Sequence, residues 1–304
     1  MQTIGITGGT GFIGTHLVAS LLERGNNVII FTRSIKKTGN RQLTYAHWDA
    51  ARSSIDLDAL GKIDAMIHLA GAGIADKRWT ANRKREISDS RVTGTRFLVA
   101  GLKQHAPNCR TFISASAIGY YGPDRENLVP FKEDNPPCND FIGQVCRAWE
   151  NEANQASGFL RTAILRFGIV FGKDGGAFAK FIQPINFGLV PILGSGKAVT
   201  SWIHIDDHCK LILSALENDA MQGVYNAVSP HPVSNESLMK TIAKIKGGIK
   251  IPFHVPSFVL KMMLGEMSTE ILKSCTVNSD KITATGFTFQ YPKIEDAIKD
   301  LLTC

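Results

Sequence analysis

An α/β fold built on a doubly wound parallel sheet is predicted by two features of this 304-residue sequence. Strand-like and helix-like segments alternate through its first two-thirds, which is typical of a parallel sheet with helices on both faces. The first strand also leads into a helix through a turn with glycines at positions 8, 11 and 14. With 44% apolar residues, the chain can bury a large core, as one large domain or two moderate ones.

The predicted elements come from short apolar runs and from apolar residues at helical spacing. Strands are expected at residues 3–7, 28–32, 65–70, 111–114, 162–171 and 223–227, and helices at 12–22, 80–103, 145–156, 178–190, 233–247, 256–274 and 294–302. Residues 1–171 are predicted to form the sheet core. Residues 172–304 are predicted to form mainly a smaller C-terminal α/β substrate region over the carboxyl edge of the sheet, with 197–230 returning to the core.

The glycine-rich turn predicts a dinucleotide site. A strand that enters a helix through such a turn directs backbone N–H groups and the helix dipole at a pyrophosphate. Gly8 allows the tight turn, Gly11 lets the phosphate approach the backbone, and Gly14 lets the helix lie close to the sheet. The alternative is a glycine turn with a purely structural role. In this Rossmann-type interpretation the turn residues that contact the cofactor are Gly8, Thr10, Gly11, Phe12 and Ile13.

The end of the second strand indicates which dinucleotide is bound. An acidic residue there would accept a hydrogen bond from the ribose 2′-hydroxyl of NAD. This chain has Arg33 and Ser34 instead. Arg33 can pair with a 2′-phosphate through two hydrogen bonds and stack on adenine, whereas the alternative is a solvated surface arginine. The sequence therefore predicts NADP(H) rather than NAD(H).

Charge and composition argue against several other classes of function. The formal net charge of +7 and the pI of about 9.1 suit anionic ligands, but the Lys and Arg residues are dispersed, so nucleic-acid binding is not expected. Six cysteines, at 109, 138, 146, 209, 275 and 304, show no CxxC spacing, which predicts reduced thiols and no metal site. The first strand starts directly after Met1, and no apolar run approaches 18 residues. A cytoplasmic protein without a membrane partner is therefore expected.

Several segments resemble the extended short-chain dehydrogenase/reductase superfamily, the group of sugar-nucleotide epimerases and dehydratases. The resemblance begins at the glycine turn and continues to the end of the chain. Its later segments are Ile67–Ala72, Val92–Thr95, Ser114–Gly122, Leu165–Gly172, Ser201–Asp207 and Gly223–Ala227. Arg78-Trp79-Thr80, Ser90-Arg91, Trp149-Glu150 and Trp202-Ile203-His204 resemble one atypical branch of the family, whose members carry the labels sugar-nucleotide epimerase or cell-division inhibitor. Arg91 departs from the usual pattern, because it occupies the position where the family has asparagine.

The resemblance implies further cofactor contacts. Asp49 lies where relatives place an acid that contacts adenine, although a loop-capping aspartate is an equal alternative. The small residues of the HLAG-type segment line the ribose on the nicotinamide side in relatives, and this role falls on Leu69, Ala70 and Gly71. His68, within the same segment, is expected to pack structurally.

The resemblance also implies a catalytic hydroxyl, but the usual proton donor is missing. Ser116 takes the role of the serine or threonine that polarises the reacting group, with Ser114 as the other candidate; both hydroxyls could instead only cap the strand end. The family's tyrosine, followed four residues later by lysine, is absent: these positions hold Ile142 or Phe141 and Cys146 or Val145. Tyr120 and Tyr121 lie beside Ser116 in sequence, and Tyr120 is chosen as the candidate replacement, with structural packing as the alternative.

These features lead to two functional hypotheses. The first is an NADP(H)-binding, oxidoreductase-like protein that acts on a small substrate, such as a nucleotide sugar or a carbonyl compound, through a non-standard active site. The second is a non-catalytic NADPH-binding or sensing protein that regulates a partner. Sugar epimerisation on bound NAD is disfavoured by the missing base and by Arg33. The sequence determines neither the substrate nor the oligomeric state.

Overall fold

The structure is a computed structural model that describes residues 1–126 and 129–303. The strands are β1 (Thr3–Thr7), β2 (Asn27–Thr32), β3 (Leu43–Asp49), β4 (Ser54–Ile55), β5 (Ala65–His68), β6 (Thr111–Ala117), β7 (Arg161–Phe167), β8 (Ile169–Gly172), β9 (Leu189–Leu193), β10 (Val199–Thr200), β11 (Trp202–His204), β12 (Gly223–Ala227), β13 (Val233–Ser234) and β14 (Ile251–Val255). The helices are α1 (Phe12–Glu23), α2 (Leu57–Leu60), α3 (Ala81–His105), α4 (Phe141–Asn154), α5 (Gly176–Asn186), α6 (Ile205–Glu217), α7 (Asn235–Lys246), α8 (Ser257–Leu264), α9 (Ser268–Leu272), α10 (Asp280–Thr283) and α11 (Ile294–Leu302).

One eight-stranded sheet organises the molecule. Its strand order is β12-β7-β6-β5-β1-β2-β3-β4, and every neighbouring pair is parallel except β3 and β4. The strand β1 lies between β2 and β5, so the chain order reverses there. Such a reversal opens a crevice at the carboxyl ends of the strands, where ligands bind in this architecture. The doubly wound parallel sheet predicted from the sequence is thus confirmed.

Helices cover both faces of this sheet. On one face, α1 and α6 pack against Ile4 and Ile6 of the central strand. On the other face, α3 and α4 pack with Phe31 and Met66. Strand residues are therefore buried on both sides, which accounts for the continuous apolar runs in the sequence. A third cluster, formed by α5, α7, α11 and β9, packs around Phe171 and Trp202.

The structure differs from the expected elements at several points, and the strands β4, β9, β10, β13 and β14 are among the elements that were not predicted. The strand β3 was not predicted, because its polar and apolar residues alternate irregularly. The strand expected at 162–171 is divided at Gly168, and β8 leaves the sheet to pair with β11. A Cβ at Gly168 would lie 2.7 Å from the Ser201 carbonyl oxygen and from Val228 Cγ1, so only glycine fits this crossing. The helix expected at 256–274 is divided into α8 and α9 at Gly265, whose φ is +62°.

Two elements of the chain after residue 172 pack into the core or pair with the main sheet. The helix α6 contributes to the same core as α1, and β12 pairs in parallel with β7 along its whole length. Both lie within residues 197–230. Of the cysteines, Cys304 lies outside the described residues, and the other five are unpaired thiols. No helix in the described part of the chain is long and apolar enough to cross a membrane.

His208 introduces a pH-dependent cost into the core. It lies fully buried on α6, with its ring edge-on to Phe167 at a centroid distance of 4.1 Å. Neither ring nitrogen has a hydrogen-bond partner among the described residues. Burial lowers the pKa of His208 to about 3, because a charged imidazole would lose its hydration there.

We predict that His208→Leu reduces the acid sensitivity of the fold. Because the folded-state pKa lies below the ordinary value of 6.5, this contribution to stability is complete above pH 6.5 and is lost as the pH falls towards 3. At pH 4.5 about 2.7 kcal/mol of this contribution has been lost, because that pH lies two units below the ordinary pKa and still above the folded-state pKa. Urea denaturation at pH 7.5 and 4.5 should therefore show a smaller loss of unfolding free energy for His208→Leu than for the unmodified chain. Exposed His105→Gln serves as the control, and an unchanged pH dependence in His208→Leu would contradict the prediction.

Candidate cofactor and active site

The glycine turn between β1 and α1 is determined by steric contacts. Gly8 has φ +73°, and its carbonyl oxygen accepts a hydrogen bond from the Gly11 N–H at 3.0 Å. A Cβ on Gly14 would overlap that carbonyl oxygen and lie 2.6 Å from Gly9 Cα. A Cβ on Gly8 would lie 2.8 Å from the Leu69 carbonyl carbon. The glycines therefore let α1 and the chain after β5 approach the turn closely.

The start of α1 is suited to an anion. Gly11 is its N-cap residue, no side chain caps the helix in the described structure, and its first turn contains no acidic residue. The first N–H groups of such a helix need external acceptors, and the helix dipole favours negative charge there. The Phe12 ring packs against Gly172, which ends β8, and against Gly175, since a Cβ on either glycine would lie 2.6–2.7 Å from it. The Phe12 ring is therefore engaged in packing, and a contact between the cofactor and the Phe12 backbone remains a prediction.

The predicted adenosine side of the site lies at the ends of β2 and β3. Arg33 and Ser34 are exposed and follow β2 directly, and Arg33 has no ion-pair partner within the described residues. Asp49 ends β3 and accepts hydrogen bonds from the N–H groups of Ala51 and Arg52, at 3.0 and 3.4 Å. The Asp49 carboxylate thus caps the short 3-10 turn that follows it. A contact between Asp49 and adenine remains a prediction.

The segment after β5 lies beside the glycine turn. The Leu69 N–H donates to the Thr7 carbonyl at 3.1 Å, and the Ala70 N–H lies 3.4 Å from Thr7 Oγ1. His68 is buried and hydrogen-bonded through Nδ1 to Thr7 Oγ1 and through Nε2 to Thr95 Oγ1, at 2.6 and 2.9 Å. Burial, aided by the charge of Arg91, lowers the pKa of His68 to about 3. His68 is therefore neutral at physiological pH and orients the end of β5.

A buried ion pair lies at the carboxyl ends of β6 and β7. Arg166 donates through Nε and Nη2 to the two carboxylate oxygens of Glu150, at 2.8 and 2.7 Å. Ser116 donates its hydroxyl proton to Glu150 Oε1 at 2.6 Å. The Arg166 side chain is 3% exposed and that of Glu150 is 9% exposed. Burial acts to lower the pKa of Arg166, but the hydrogen bonds and charge of Glu150 outweigh it, so that the pKa is raised.

Two tyrosines extend this group towards β12. Arg166 Nη1 donates to the Tyr121 hydroxyl at 2.7 Å, and that hydroxyl donates to Asn226 Oδ1 at 2.6 Å. Burial raises the pKa of Tyr121 well above its usual value, although the charge of Arg166 opposes the shift. The Tyr120 ring lies under the Arg166 guanidinium, 3.5 Å from ring centroid to Cζ. Tyr121 is thus held neutral, while Tyr120 is partly buried and packs against the cation.

The positions of the missing tyrosine and lysine are apolar in the structure. Ile142 and Cys146 are each 2% exposed on α4. Burial raises the pKa of Cys146 to about 12, so this thiol does not ionise near neutral pH. Phe141 packs edge-on against Trp79. Neither position of the usual pair can therefore transfer a proton.

Sequence reasoning found Ser116 and Tyr120 but missed the groups that bind them. Glu150, Arg166 and Asn226 come from α4, β7 and β12, whereas Tyr121, in the turn after β6, was considered together with Tyr120. One signal was available, because a charged Arg166 inside an otherwise apolar strand requires a buried partner. The identity of that partner depends on the packing of α4 against the sheet. The structure brings Ser116 and Tyr120 together around Arg166, as neighbours of Glu150 and of the cation respectively.

Comparison with protein families identifies the class to which this fold and site belong. The model of the NAD dependent epimerase/dehydratase family matches residues 4–227. A domain of unknown function, DUF1731, matches residues 255–301, which include α8 to α11. The chain therefore belongs to the NAD dependent epimerase/dehydratase family, and the resemblance seen in the sequence is confirmed.

Individual relatives cover nearly the whole chain. The epimerase family protein YfhF of Bacillus subtilis (strain 168) is 35% identical over 304 residues, which cover 99% of this chain and 98% of YfhF. The crystal structure of human epimerase family protein SDR39U1 with NADPH has a TM-score of 0.86 at 27% identity and covers 98% of each chain. The nucleoside-diphosphate sugar epimerase from Corynebacterium glutamicum has a TM-score of 0.79 at 31% identity, covering 99% of this chain and 58% of that one.

We predict that breaking the Glu150–Arg166 pair on one side strongly destabilises the fold. Glu150→Gln leaves the Arg166 charge buried without a counterion, at a cost of about 3–5 kcal/mol in unfolding free energy. Removing both charges in Glu150→Gln with Arg166→Met should restore part of this loss, because no uncompensated charge remains. Urea denaturation of the single and the double variant, each compared with the unmodified chain, measures the effect.

An exposed ion pair provides the control for this prediction. Arg24 pairs with Glu217 at the surface, and Arg24→Met should change the unfolding free energy by less than about 1 kcal/mol. If Glu150→Gln costs no more than Arg24→Met, the buried pair does not have the assigned structural role.

Proposed function

We propose that this chain is an NADP(H)-binding, oxidoreductase-like member of the epimerase/dehydratase family that acts on a small hydroxyl-bearing substrate. The observation that carries the cofactor assignment is the exposed Arg33 at the end of β2, with Ser34 beside it and no acidic residue at that position. A guanidinium there suits the 2′-phosphate of NADP and gives no acceptor for the 2′-hydroxyl of NAD. The human relative whose structure contains NADPH supports this choice.

The residues present fit a dinucleotide on two counts. The start of α1, which no side chain of the described residues caps, presents backbone N–H groups to a pyrophosphate, and the absence of a side chain at Gly11 leaves room for it. The residues that would hold the cofactor are those of the turn, with Arg33 and Ser34 on the adenosine side and Leu69, Ala70 and Gly71 on the nicotinamide side. When bound, the nicotinamide supplies a hydride donor or acceptor.

The hydrogen-bond direction at Ser116 supports a hydroxyl group as the reacting substrate group. Ser116 gives its only proton to Glu150 Oε1, which also accepts a hydrogen bond from Arg166 Nε. Its oxygen lone pairs then remain as acceptors. Such an oxygen can accept a hydrogen bond from a substrate alcohol, whereas donating to a carbonyl would first require breaking the bond to Glu150. We therefore favour a sugar-like alcohol over a simple carbonyl compound as the substrate class.

The free cysteines support a cytoplasmic location. The five described cysteines are free thiols, and relatives with the same length occur in bacteria. Free thiols persist in a reducing compartment. We propose that the protein acts there.

Arg33→Ala is expected to remove the preference for NADPH. Loss of charge-assisted hydrogen bonds to the 2′-phosphate should weaken NADPH binding about tenfold or more, because such bonds contribute roughly 1.5–3 kcal/mol. NADH binding should change by less than about twofold, since NADH lacks that phosphate. Titrations followed by nicotinamide fluorescence measure both affinities. Arg110→Ala is the matched control, because Arg110 is exposed at the opposite, amino edge of the sheet; equal affinity of the unmodified protein for NADPH and NADH would rule out the NADP(H) assignment.

Ser116→Ala tests the catalytic assignment once turnover is detected. We expect kcat to fall about a hundredfold, in the range of a lost acid–base contact, with binding of NADPH unchanged. Substrate panels of nucleotide sugars, alcohols, ketones and aldehydes would be assayed by the change in NADPH absorbance. Ser114→Ala is the control, because Ser114 is buried and donates to the Ala115 carbonyl on the same strand. An unchanged kcat in Ser116→Ala would show the assignment to be wrong, and NADPH binding without turnover on any substrate would favour a sensing role.

A further inference from the structure

Arg91, Gly71 and Trp149 form one wall of the candidate site, and no carboxylate of the described residues pairs with the Arg91 charge. Arg91 lies on α3 and is partly buried. Among the described residues it has no carboxylate within 4.0 Å, whereas the buried arginines Arg83 and Arg166 both have one. The other described arginines without a carboxylate partner are exposed to solvent. Burial lowers the pKa of Arg91, and no carboxylate of the described residues offsets the desolvation cost of its charge.

The guanidinium is held in a defined orientation. Arg91 Nη1 donates to the carbonyl oxygens of Ala72 and Ile87, at 2.9 and 3.2 Å. The guanidinium carbon lies 5.2 Å from the centre of the Trp149 ring. A Cβ on Gly71 would lie 3.2–3.4 Å from three guanidinium atoms, so the group lies directly against that glycine. These contacts fix the side chain before any ligand binds.

Donors in this wall outnumber acceptors. Arg91 Nε and Nη2 have no hydrogen-bond acceptor in the described part of the chain. Unlike these accessible Arg91 atoms, Trp149 Nε1 on α4 and Arg83 Nε on α3 are buried, and they too lack a partner among the described residues. Buried donors without acceptors are uncommon in folded proteins and indicate that a ligand or ordered water supplies the missing oxygens. The wall is therefore suited to a group rich in oxygen acceptors.

The position of the wall selects one part of the proposed cofactor. Gly71 follows β5, which lies on the opposite side of β1 from β2. If Arg33 at the end of β2 takes the adenosine half and the turn after β1 takes the pyrophosphate, the nicotinamide half must extend over β5. Arg91 lies in direct contact with the first residues beyond that strand.

We propose that Arg91 is a cofactor-positioning residue that donates hydrogen bonds to the ribose oxygens on the nicotinamide side. This inference rests on the proposed NADP(H) function and adds a residue from α3 to the site. Its guanidinium anchors the nicotinamide nucleoside against Gly71, with Nη1 fixed on the protein backbone and Nε and Nη2 directed to the ligand. Because the ribose is neutral, the contribution comes from oriented, charge-assisted hydrogen bonds.

The test compares two ligands that share only the adenosine half. NADPH contains the nicotinamide ribose, whereas adenosine 2′,5′-bisphosphate contains the adenine, its ribose and the 2′-phosphate without the nicotinamide nucleoside. Calorimetric titration of the full chain with each ligand is carried out for Arg91→Met, Arg91→Lys and Arg33→Ala. Arg91→Met keeps the side-chain length against Trp149 and removes the donors, and Arg91→Lys keeps the charge.

We expect Arg91→Met to weaken NADPH about tenfold and to leave adenosine 2′,5′-bisphosphate within about twofold of the unmodified chain. Arg91→Lys should recover part of the NADPH affinity. Arg33→Ala should weaken both ligands, which reports on the proposed cofactor independently of Arg91. The inference is overturned if Arg91→Met leaves NADPH affinity unchanged, or if it weakens both ligands equally, since the second result indicates a general effect on the fold. If the unmodified chain binds neither ligand, the proposed function itself fails.

Discussion

The buried pair between Arg166 and Glu150 connects the elements on which the candidate site depends. It joins the end of β7 to α4 and, through the Tyr121 hydroxyl, to Asn226 on β12. It also determines the direction in which the Ser116 hydroxyl donates. Such a pair is expensive to desolvate, and four elements meet at it. The geometry around Ser116 follows from this one charged contact.

The cofactor side of the site is organised by an absence of side chains. At Gly8 and Gly14 the backbone of the turn, the start of α1 and the chain after β5 approach more closely than any Cβ permits. This proximity brings the predicted contacts of the turn next to Leu69 and Ala70. The two sides of the site are thus held together by different interactions. Close backbone contact forms the phosphate side, and the hydrogen-bonded group around Arg166 and Glu150 forms the side where chemistry is expected.

Local patterns were sufficient to predict most of the fold. The glycine turn, the buried runs of β1, β2 and β5 and the helical spacing of α1 and α3 each carry their signal within about a dozen residues. Predictions failed where a distant contact overrides the local pattern. Gly168 divides an apolar run because Ser201 and Val228 occupy the adjacent space. The residues of this run alone do not predict the division at Gly168, since Ser201 is distant in sequence.

The sequence by itself determined the doubly wound sheet, the dinucleotide turn, the basic end of β2 and the lack of the tyrosine–lysine pair, because each is a property of consecutive residues. The tertiary structure alone decided the partners of the polar groups. It placed Glu150 between Ser116 and Arg166, and it put Arg91 beside Gly71 with no carboxylate partner among the described residues. The physical reason is that the charge balance and hydrogen-bond direction of a buried group depend on residues that only the packing of helices on the sheet brings into contact.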